Sequence, residues 1–182
     1  HLMEMAGIDI TQLTVKVDRA MVEEHGWEIL ERLSETGVRV FYDGKYVEIP
    51  IKLAKLARLP RLERDQLPFM VNCMAGGLSS MIWETDDPET AKQIDGLKRF
   101  AETCQGVGVR ACGVTVLTSK TDETVEVEFN GRSSEDQVLF YAEMLLAAGF
   151  TDVVCSAKEA EVIRQHPRFD GLKLWCPGIR PA

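Results

Sequence analysis

Two lysines and an aspartate occupy neighbouring apolar segments of the chain. Asp43 and Lys45 are two residues apart, so on a β-strand their side chains point to the same face. Lys16 lies within the preceding apolar segment. If the two segments pair, the side chains form a Lys–Asp–Lys cluster whose net positive charge suits a substrate carboxylate or a developing carbanion. The same spacing also fits a solvated strand-end turn, with Lys16 extending into solvent.

Two further features could bind a ligand. Arg180 follows the last apolar segment, where a guanidinium is suited to gripping a phosphate, although many loops carry one arginine. The sequence Ala75-Gly76-Gly77 could present backbone N–H groups to a ligand, or it could form a tight turn. We find no Ser/His/Asp triad, no GxGxxG motif and no cysteine–histidine spacing typical of zinc, so no metal site is predicted.

Six short apolar segments alternate with stretches of helical periodicity, which predicts βα units and a parallel sheet covered on both faces. The six predicted strands are Leu13–Val17, Val38–Tyr42, Phe69–Met74, Val109–Leu117, Asp152–Cys155 and Leu172–Cys176. The predicted helices are Met21–Thr36, Ile51–Leu59, Pro88–Gln105, Ser133–Leu146 and Ser156–Gln165. This pattern fits either a doubly wound sheet or a (β/α) barrel, in which ligand chemistry gathers at the carboxyl ends of the strands.

Length and charge limit the classes of protein. A chain of 182 residues without a linker-like segment predicts one domain over residues 1–182, with residues 1–3 resembling a tag remnant. A formal net charge of −8 argues against a nucleic-acid partner. No apolar segment is long enough to span a membrane, and no signal peptide is recognisable. Five cysteines without a CxxC pair favour buried free thiols and a cytoplasmic location.

Several segments together resemble the orotidine 5′-phosphate decarboxylase family. Residues 41–50, FYDGKYVEIP, resemble its D-x-K-x-x-D-I-P element, and residues 177–181, PGIRP, match its P-G-I-R-P loop. Supporting similarities are Thr14–Val17 to its V-K-V-G strand, Met70–Gly77 to V-N-V-H-A-x-G-G, Val114–Ser119 to V-T-V-L-T-S, and Gly149–Ala157 to G-x-x-x-V-V-C-S-A. The order and spacing agree along nearly the whole chain.

The resemblance implies a (β/α)8 TIM-barrel type fold, here an incomplete barrel that lacks the first and last strands. It implies a cofactor-free carboxy-lyase that converts orotidine 5′-phosphate to UMP in pyrimidine biosynthesis, as a homodimer. In that reading Lys45 protonates C6 of the pyrimidine, and Lys16 and Asp43 complete the charged array. The remaining implied site residues are Glu48, in the place of an aspartate donated across the dimer interface, and Thr118, Arg180, Ile49 and Pro50, which would contact the substrate.

The chain also departs from the family pattern. Glu48 replaces an aspartate, Asp18 replaces a glycine and adds negative charge near the cluster, and Cys73 replaces a histidine. These departures leave a second hypothesis open, in which a divergent, non-catalytic relative acts as a nucleotide-binding or assembly module. A third hypothesis, a phosphosugar lyase such as a hexulose-phosphate synthase, requires acidic metal ligands at strand ends, and the chain has few of them.

Overall fold

The computed structural model describes residues 9–48, 52, 68–76 and 87–180. Its six described strands form one parallel sheet in which each strand pairs with its neighbours in the chain. The strands are β1 (Thr14–Asp18), β2 (Arg39–Tyr46), β3 (Met70–Met74), β4 (Arg110–Val114), β5 (Asp152–Val154) and β6 (Lys173–Trp175). The sheet curls into a half-barrel, so one cavity is lined both by β1 and by the residues that follow β6. The barrel-type prediction is therefore confirmed over the doubly wound alternative.

Helices connect the strands and cover the outer face of the sheet. The described α-helices are α1 (Arg19–His25), α2 (Glu28–Ser34), α3 (Pro88–Gly106), α4 (Asp122–Glu128), α5 (Ser134–Ala147) and α6 (Ala157–Arg164), with short 3-10 helices at Ile10–Gln12 and Pro167–Phe169. Ser156 caps α6 by accepting a hydrogen bond from the N–H of Glu159, whose carboxylate accepts one from the N–H of Ser156. This reciprocal capping box fixes where the helix begins, directly after β5. None of the helices in the described ranges combines the length and the apolar character that crossing a membrane requires.

The predicted helix Met21–Thr36 is wrong as a single helix, because the chain breaks it into α1 and α2. Gly26 lies between them with φ at +77°, a region that favours glycine, and its N–H ends α1 on the carbonyl of Val22 at 2.9 Å. The apolar periodicity continues across this break, since both helices pack on the same sheet. Helix α4 is not predicted from the sequence. The predicted helix Ile51–Leu59 lies outside the described residues except at Lys52, which is helical.

Both faces of the sheet are apolar. The larger core lies between the sheet and the helices, and Leu97, Phe100 and Leu145 are fully buried in it. A smaller cluster of Phe41, Met70 and Cys112 lies inside the half-barrel. Four of the five cysteines are buried and all five are free thiols, as the sequence predicts, with Cys176 partly exposed. The apolar interior beneath the strand ends forms the base of the site described next.

Candidate active site

Three charged side chains meet at the carboxyl ends of β1 and β2. The ammonium Nζ atoms of Lys16 and Lys45 lie 2.9 and 2.7 Å from the same carboxylate oxygen, Oδ2 of Asp43. Lys16 pairs with Phe41 in the β1–β2 register, which places it one strand away from Asp43 and within reach of it. The Lys–Asp–Lys cluster that the spacing predicts therefore forms, and the solvated strand-end turn does not.

A fourth residue, Asn72 on β3, completes the cluster and was missed by the sequence reasoning. Its Nδ2 donates a hydrogen bond to Oδ1 of Asp43 at 2.7 Å, and its Oδ1 accepts one from the backbone N–H of Lys45, also at 2.7 Å. Asn72 is 1% exposed. A polar side chain in the middle of a buried apolar strand is costly unless it is hydrogen-bonded, and that interruption of an apolar run is the feature that could have revealed it.

The backbone of Lys45 has a positive φ within a β-bulge, and this conformation directs the side chain towards the cavity. Lys45 has φ at +42°, and the register between β2 and β3 shifts between Tyr42 and Tyr46. Such bulges re-aim side chains and concentrate near active sites. A Cβ atom at the adjacent Gly44 would lie 2.8 Å from the ring of Tyr42, so only glycine fits this close approach. The bulge thus brings both Asp43 and Lys45 to the mouth of the half-barrel.

The electrostatics of the cluster keep Asp43 ionised. Burial alone would raise the pKa of Asp43, but the hydrogen bonds from Lys45, Asn72 and Lys16 outweigh it and hold the pKa below its ordinary value. The carboxylate is 4% exposed, whereas the side chains of Lys16 and Lys45 are 52% and 44% exposed. One buried anion between two accessible cations leaves a net positive charge facing the open end of the site.

The cluster forms one end of a cavity of about 450 Å³. This volume is in the range of pockets that bind small molecules. Besides the cluster and Asn72, the lining comprises Thr14, Phe41, Val114, Leu117, Thr118, Val154, Trp175, Cys176, Pro177 and Gly178. The cavity is therefore largely apolar, with its charge concentrated on β1 and β2, which suits a ligand with a planar apolar body and an anionic substituent.

The other predicted site residues have different surroundings. Thr118 lines the cavity, whereas Arg180 is exposed and is not part of the lining within the described residues. Glu48 also lies outside that lining, and its carboxylate is 3.5 Å from Nζ of Lys52. Ile49 and Pro50 fall outside the described residues.

Asp18 and Gly76 have local structural roles in the described part of the chain. The carboxylate of Asp18 is exposed and accepts a hydrogen bond from the N–H of Met21 at 3.0 Å, so it caps α1. Ala75 and Gly76 form a turn after β3, and Gly77 is not among the described residues. Within the described ranges, no group of three His, Cys, Asp or Glu side chains is arranged to hold a metal ion.

Comparison with known proteins extends the similarity over almost the whole chain. Residues 8–182 match the family described as orotidine 5′-phosphate decarboxylase / HUMPS. The chain is 37% identical to the orotidine 5′-phosphate decarboxylase of Geobacillus sp. (strain WCH70) over 94% of this chain and 67% of that protein. It is 36% identical to the enzyme of the same name from Glaesserella parasuis, over 96% and 69% of the two chains.

The fold is shared with solved structures. The crystal structure of orotidine 5′-phosphate decarboxylase from Lactobacillus acidophilus superposes with a TM-score of 0.72 at 23% identity, over 99% of this chain and 76% of that one. At this level of identity the likeness concerns the barrel-type architecture only. The charged cluster at the strand ends has to be interpreted from its own geometry.

Proposed function

The chain belongs to the orotidine 5′-phosphate decarboxylase / HUMPS family, and we propose that it is a carboxy-lyase that converts orotidine 5′-monophosphate to UMP. The observation that carries this proposal is the buried carboxylate of Asp43 held between two lysine ammonium groups at the end of an apolar cavity. The curated relatives carry that enzyme name at 37% and 36% identity, which supports the choice of reaction within the family.

The proposed reaction breaks the bond between C6 of the pyrimidine and its carboxylate. Carbon dioxide leaves, and the electron pair stays on C6 as a vinyl carbanion. An ammonium group that already lies beside C6 stabilises that charge without reorganisation, which favours the transition state over the bound substrate. Lys45 then transfers one proton from Nζ to C6, which gives UMP and a neutral amine that solvent reprotonates.

Asp43 and Lys16 have separate roles in this scheme. The substrate carboxylate enters beside the ionised Asp43, and the repulsion between the two anions is relieved when carbon dioxide departs. Lys16 shares the carboxylate oxygen Oδ2 of Asp43 with Lys45 and keeps the site positive overall. Because Asn72 holds the other oxygen of Asp43, the carboxylate cannot rotate away from the two lysines without breaking three hydrogen bonds.

The distal parts of the substrate are assigned to residues of the loops. We assign the pyrimidine contact to Thr118, which lines the cavity, and the phosphate to Arg180, with Ile49 and Pro50 beside the ribose. The proposed chemistry uses no cofactor, since the lysine ammonium groups supply both the stabilising charge and the proton. We place the reaction in the cytoplasm, in pyrimidine nucleotide synthesis.

The proposal includes a homodimer in which Glu48 acts on the site of the second copy. Glu48 does not line the cavity of its own chain and lies against Lys52 at the rim of β2. This position is consistent with a role at the cavity of a second copy, which the family resemblance implies for this residue. The extra methylene of glutamate relative to aspartate lengthens its reach by about 1 Å, a displacement large enough to change a rate.

The test is decarboxylation of orotidylate by the purified chain, compared with Lys45→Ala and with Lys92→Ala as the matched control. Losing a positioned proton donor lowers kcat by about 10²- to 10⁴-fold. Lys92 is exposed on α3, pairs with Glu89 and does not line the cavity, so its removal is expected to leave kcat close to wild type. Equal activity of Lys45→Ala and wild type would refute the assigned role, and no turnover by the wild type would refute the proposed reaction.

A second candidate function, a non-catalytic relative that binds nucleotides, applies if no second copy supplies Glu48. In a single chain Glu48 lies outside the cavity, so the binding pocket is kept while the charged array is incomplete. Calorimetry with UMP separates the candidates. Binding with turnover supports the enzyme, binding without turnover supports the nucleotide-binding module, and no binding at millimolar UMP excludes both.

A further inference from the structure

A second buried charge lies inside the half-barrel, away from the Lys–Asp–Lys cluster. Asp152, at the start of β5, is 0% exposed. Its Oδ1 accepts hydrogen bonds from Nη2 of Arg110 at 2.5 Å and from the indole Nε1 of Trp175 at 2.9 Å. Its Oδ2 accepts from Nε of Arg110 at 3.1 Å and from Oγ1 of Thr151 at 2.7 Å. Four donors use the full acceptor capacity of a carboxylate.

The arginine of this pair is itself anchored. The guanidinium of Arg110 lies 5.1 Å from the centre of the Phe69 ring, and the guanidinium of Arg39 lies 5.0 Å from the same ring. A bidentate arginine–carboxylate pair has a defined geometry, and stacking on an aromatic ring limits its freedom further. The position of the Asp152 carboxylate in the interior is therefore fixed, and so is the orientation of any group that is hydrogen-bonded to it.

The group bonded to it is the ring of Trp175, which reaches the substrate cavity. Trp175 lines that cavity together with Lys16, Asp43 and Lys45. Its ring centre lies 6.2 Å from that of Phe41, on the opposite side of the half-barrel, with an angle of 50° between the planes. The indole is thus held by Asp152 at its N–H and contacts Phe41 at its ring, and both aromatic rings line the cavity.

Stability alone is a weak explanation for this arrangement. A buried ion pair pays a desolvation cost, and replacing one with apolar residues of similar volume is often neutral or stabilising. The neighbouring cluster inside the half-barrel, against which Trp175 packs, consists of the apolar side chains of Phe41, Met70 and Cys112. What the pair does provide is a single orientation for an aromatic side chain in a ligand cavity.

We propose that Trp175 is a specificity-determining residue that forms the platform for the pyrimidine ring, an inference that rests on the proposed function. Asp152 and Arg110 are its positioning residues. A planar ring between the lysines of β1 and β2 and the indole of β6 makes face or edge contact with Trp175, as paired aromatic systems do. The fixed orientation of the Trp175 indole matters because a ring that could rotate would present a different surface to each ligand.

The experiment compares Trp175→Phe and Asp152→Asn with Thr151→Val in the full chain. Trp175→Phe keeps an aromatic ring and loses the N–H, and Asp152→Asn removes the charge that holds Arg110. Thr151→Val removes a donor to the same carboxylate without touching Trp175, so it controls for simple destabilisation. We expect Trp175→Phe and Asp152→Asn to bind UMP about five- to tenfold more weakly, as loss of one directed hydrogen bond implies, and Thr151→Val to bind it like the wild type.

Two further readouts separate positioning from folding. In kinetics with orotidylate, KM is expected to rise more than kcat falls in both variants, since the Lys–Asp–Lys cluster is unchanged. In a proton–nitrogen spectrum, the indole N–H of Trp175, assigned by its loss in Trp175→Phe, exchanges slowly in the wild type and faster in Asp152→Asn. This second readout needs no ligand.

Each outcome decides the inference. Weaker UMP binding in both variants with Thr151→Val unchanged supports the platform. Wild-type UMP affinity in Trp175→Phe and Asp152→Asn overturns it, while normal wild-type turnover leaves the proposed function standing. Equal weakening in all three variants assigns the effect to lost stability and also overturns it. A wild-type chain that neither binds UMP nor turns over orotidylate overturns the proposed function and the platform together.

Discussion

Replacing Asn72 with alanine removes the two contacts that join β3 to the charged cluster. The variant loses the hydrogen bond to the Asp43 carboxylate and the one from the backbone N–H of Lys45, both 2.7 Å long. A hydrogen bond to a charged group contributes about 1.5–3 kcal/mol and a neutral one about 0.5–1.5 kcal/mol. The free energy of unfolding is therefore expected to fall by about 2–4.5 kcal/mol.

Activity is expected to fall through a separate effect. Lys45 has φ at +42°, a conformation that persists only where its surroundings hold it. Without the amide of Asn72, the backbone of Lys45 relaxes and its ammonium group moves relative to C6. A misplacement of about 1 Å costs about 10²-fold in rate. We therefore expect kcat for orotidylate to drop about 100-fold in Asn72→Ala, at temperatures where the variant is fully folded.

The assay pairs urea unfolding with steady-state decarboxylation, and Gln93→Ala serves as the control. Gln93 is also a buried amide, and its Nε2 donates a hydrogen bond to the carbonyl of Ala75 at 3.1 Å, but it does not line the cavity. Gln93→Ala is expected to lose stability and keep its kcat. If Asn72→Ala is destabilised as predicted but decarboxylates at the wild-type rate, Asn72 does not position Lys45 and the reasoning is wrong.

Three other perturbations have defined outcomes. Because the folded-state pKa of Asp43 is lowered, its ionised form stabilises the fold above the unfolded-state pKa of about 3.9, and this contribution is lost as the pH falls through the folded-state value. In urea unfolding, the stability advantage of the wild type over Asp43→Asn should therefore shrink below about pH 4. A difference in stability that stays constant with pH would contradict the lowered pKa. A Cβ atom at Gly113 would lie 2.2 Å from the Leu145 side chain, so Gly113→Ala is expected to lose about 1–3 kcal/mol in the same assay. Gly106→Ala, where nothing lies within 4 Å, should cost nothing, and equal costs would refute the packing argument. Glu48→Gln is expected to lower kcat at least about tenfold, equivalent to about 1.4 kcal/mol, with sedimentation showing a dimer, and unchanged kcat would exclude Glu48 from the site.

The charged cluster was predictable because it depends on local spacing and on one strand pairing. Asp43 and Lys45 share a face through the two-residue period of a strand, and Lys16 follows from pairing consecutive strands. The six strands were also predictable from local sequence, because their apolar runs are separated by stretches of helical periodicity. Neither argument predicts the bulge at Lys45, because a positive φ at lysine has no signature in its residue type.

The remaining site depends on contacts that only the folded sheet defines. Asp152 is 42 residues from Arg110 and 23 from Trp175 in the chain, so their meeting requires the register of β4, β5 and β6. Each of the three looks unremarkable within its own segment. The prediction of one helix across Gly26 was wrong for a different reason. The apolar periodicity of a helix can continue across a glycine whose positive φ ends the helix.

The most direct test of the proposed reaction is the release of carbon dioxide from orotidylate labelled at its carboxylate. With the wild-type chain in excess over substrate, we expect one labelled carbon dioxide for each UMP formed. A folded wild-type chain that binds UMP in calorimetry yet releases no labelled carbon dioxide would contradict the account, because the two lysines and Asp43 would then bind a nucleotide without acting on it.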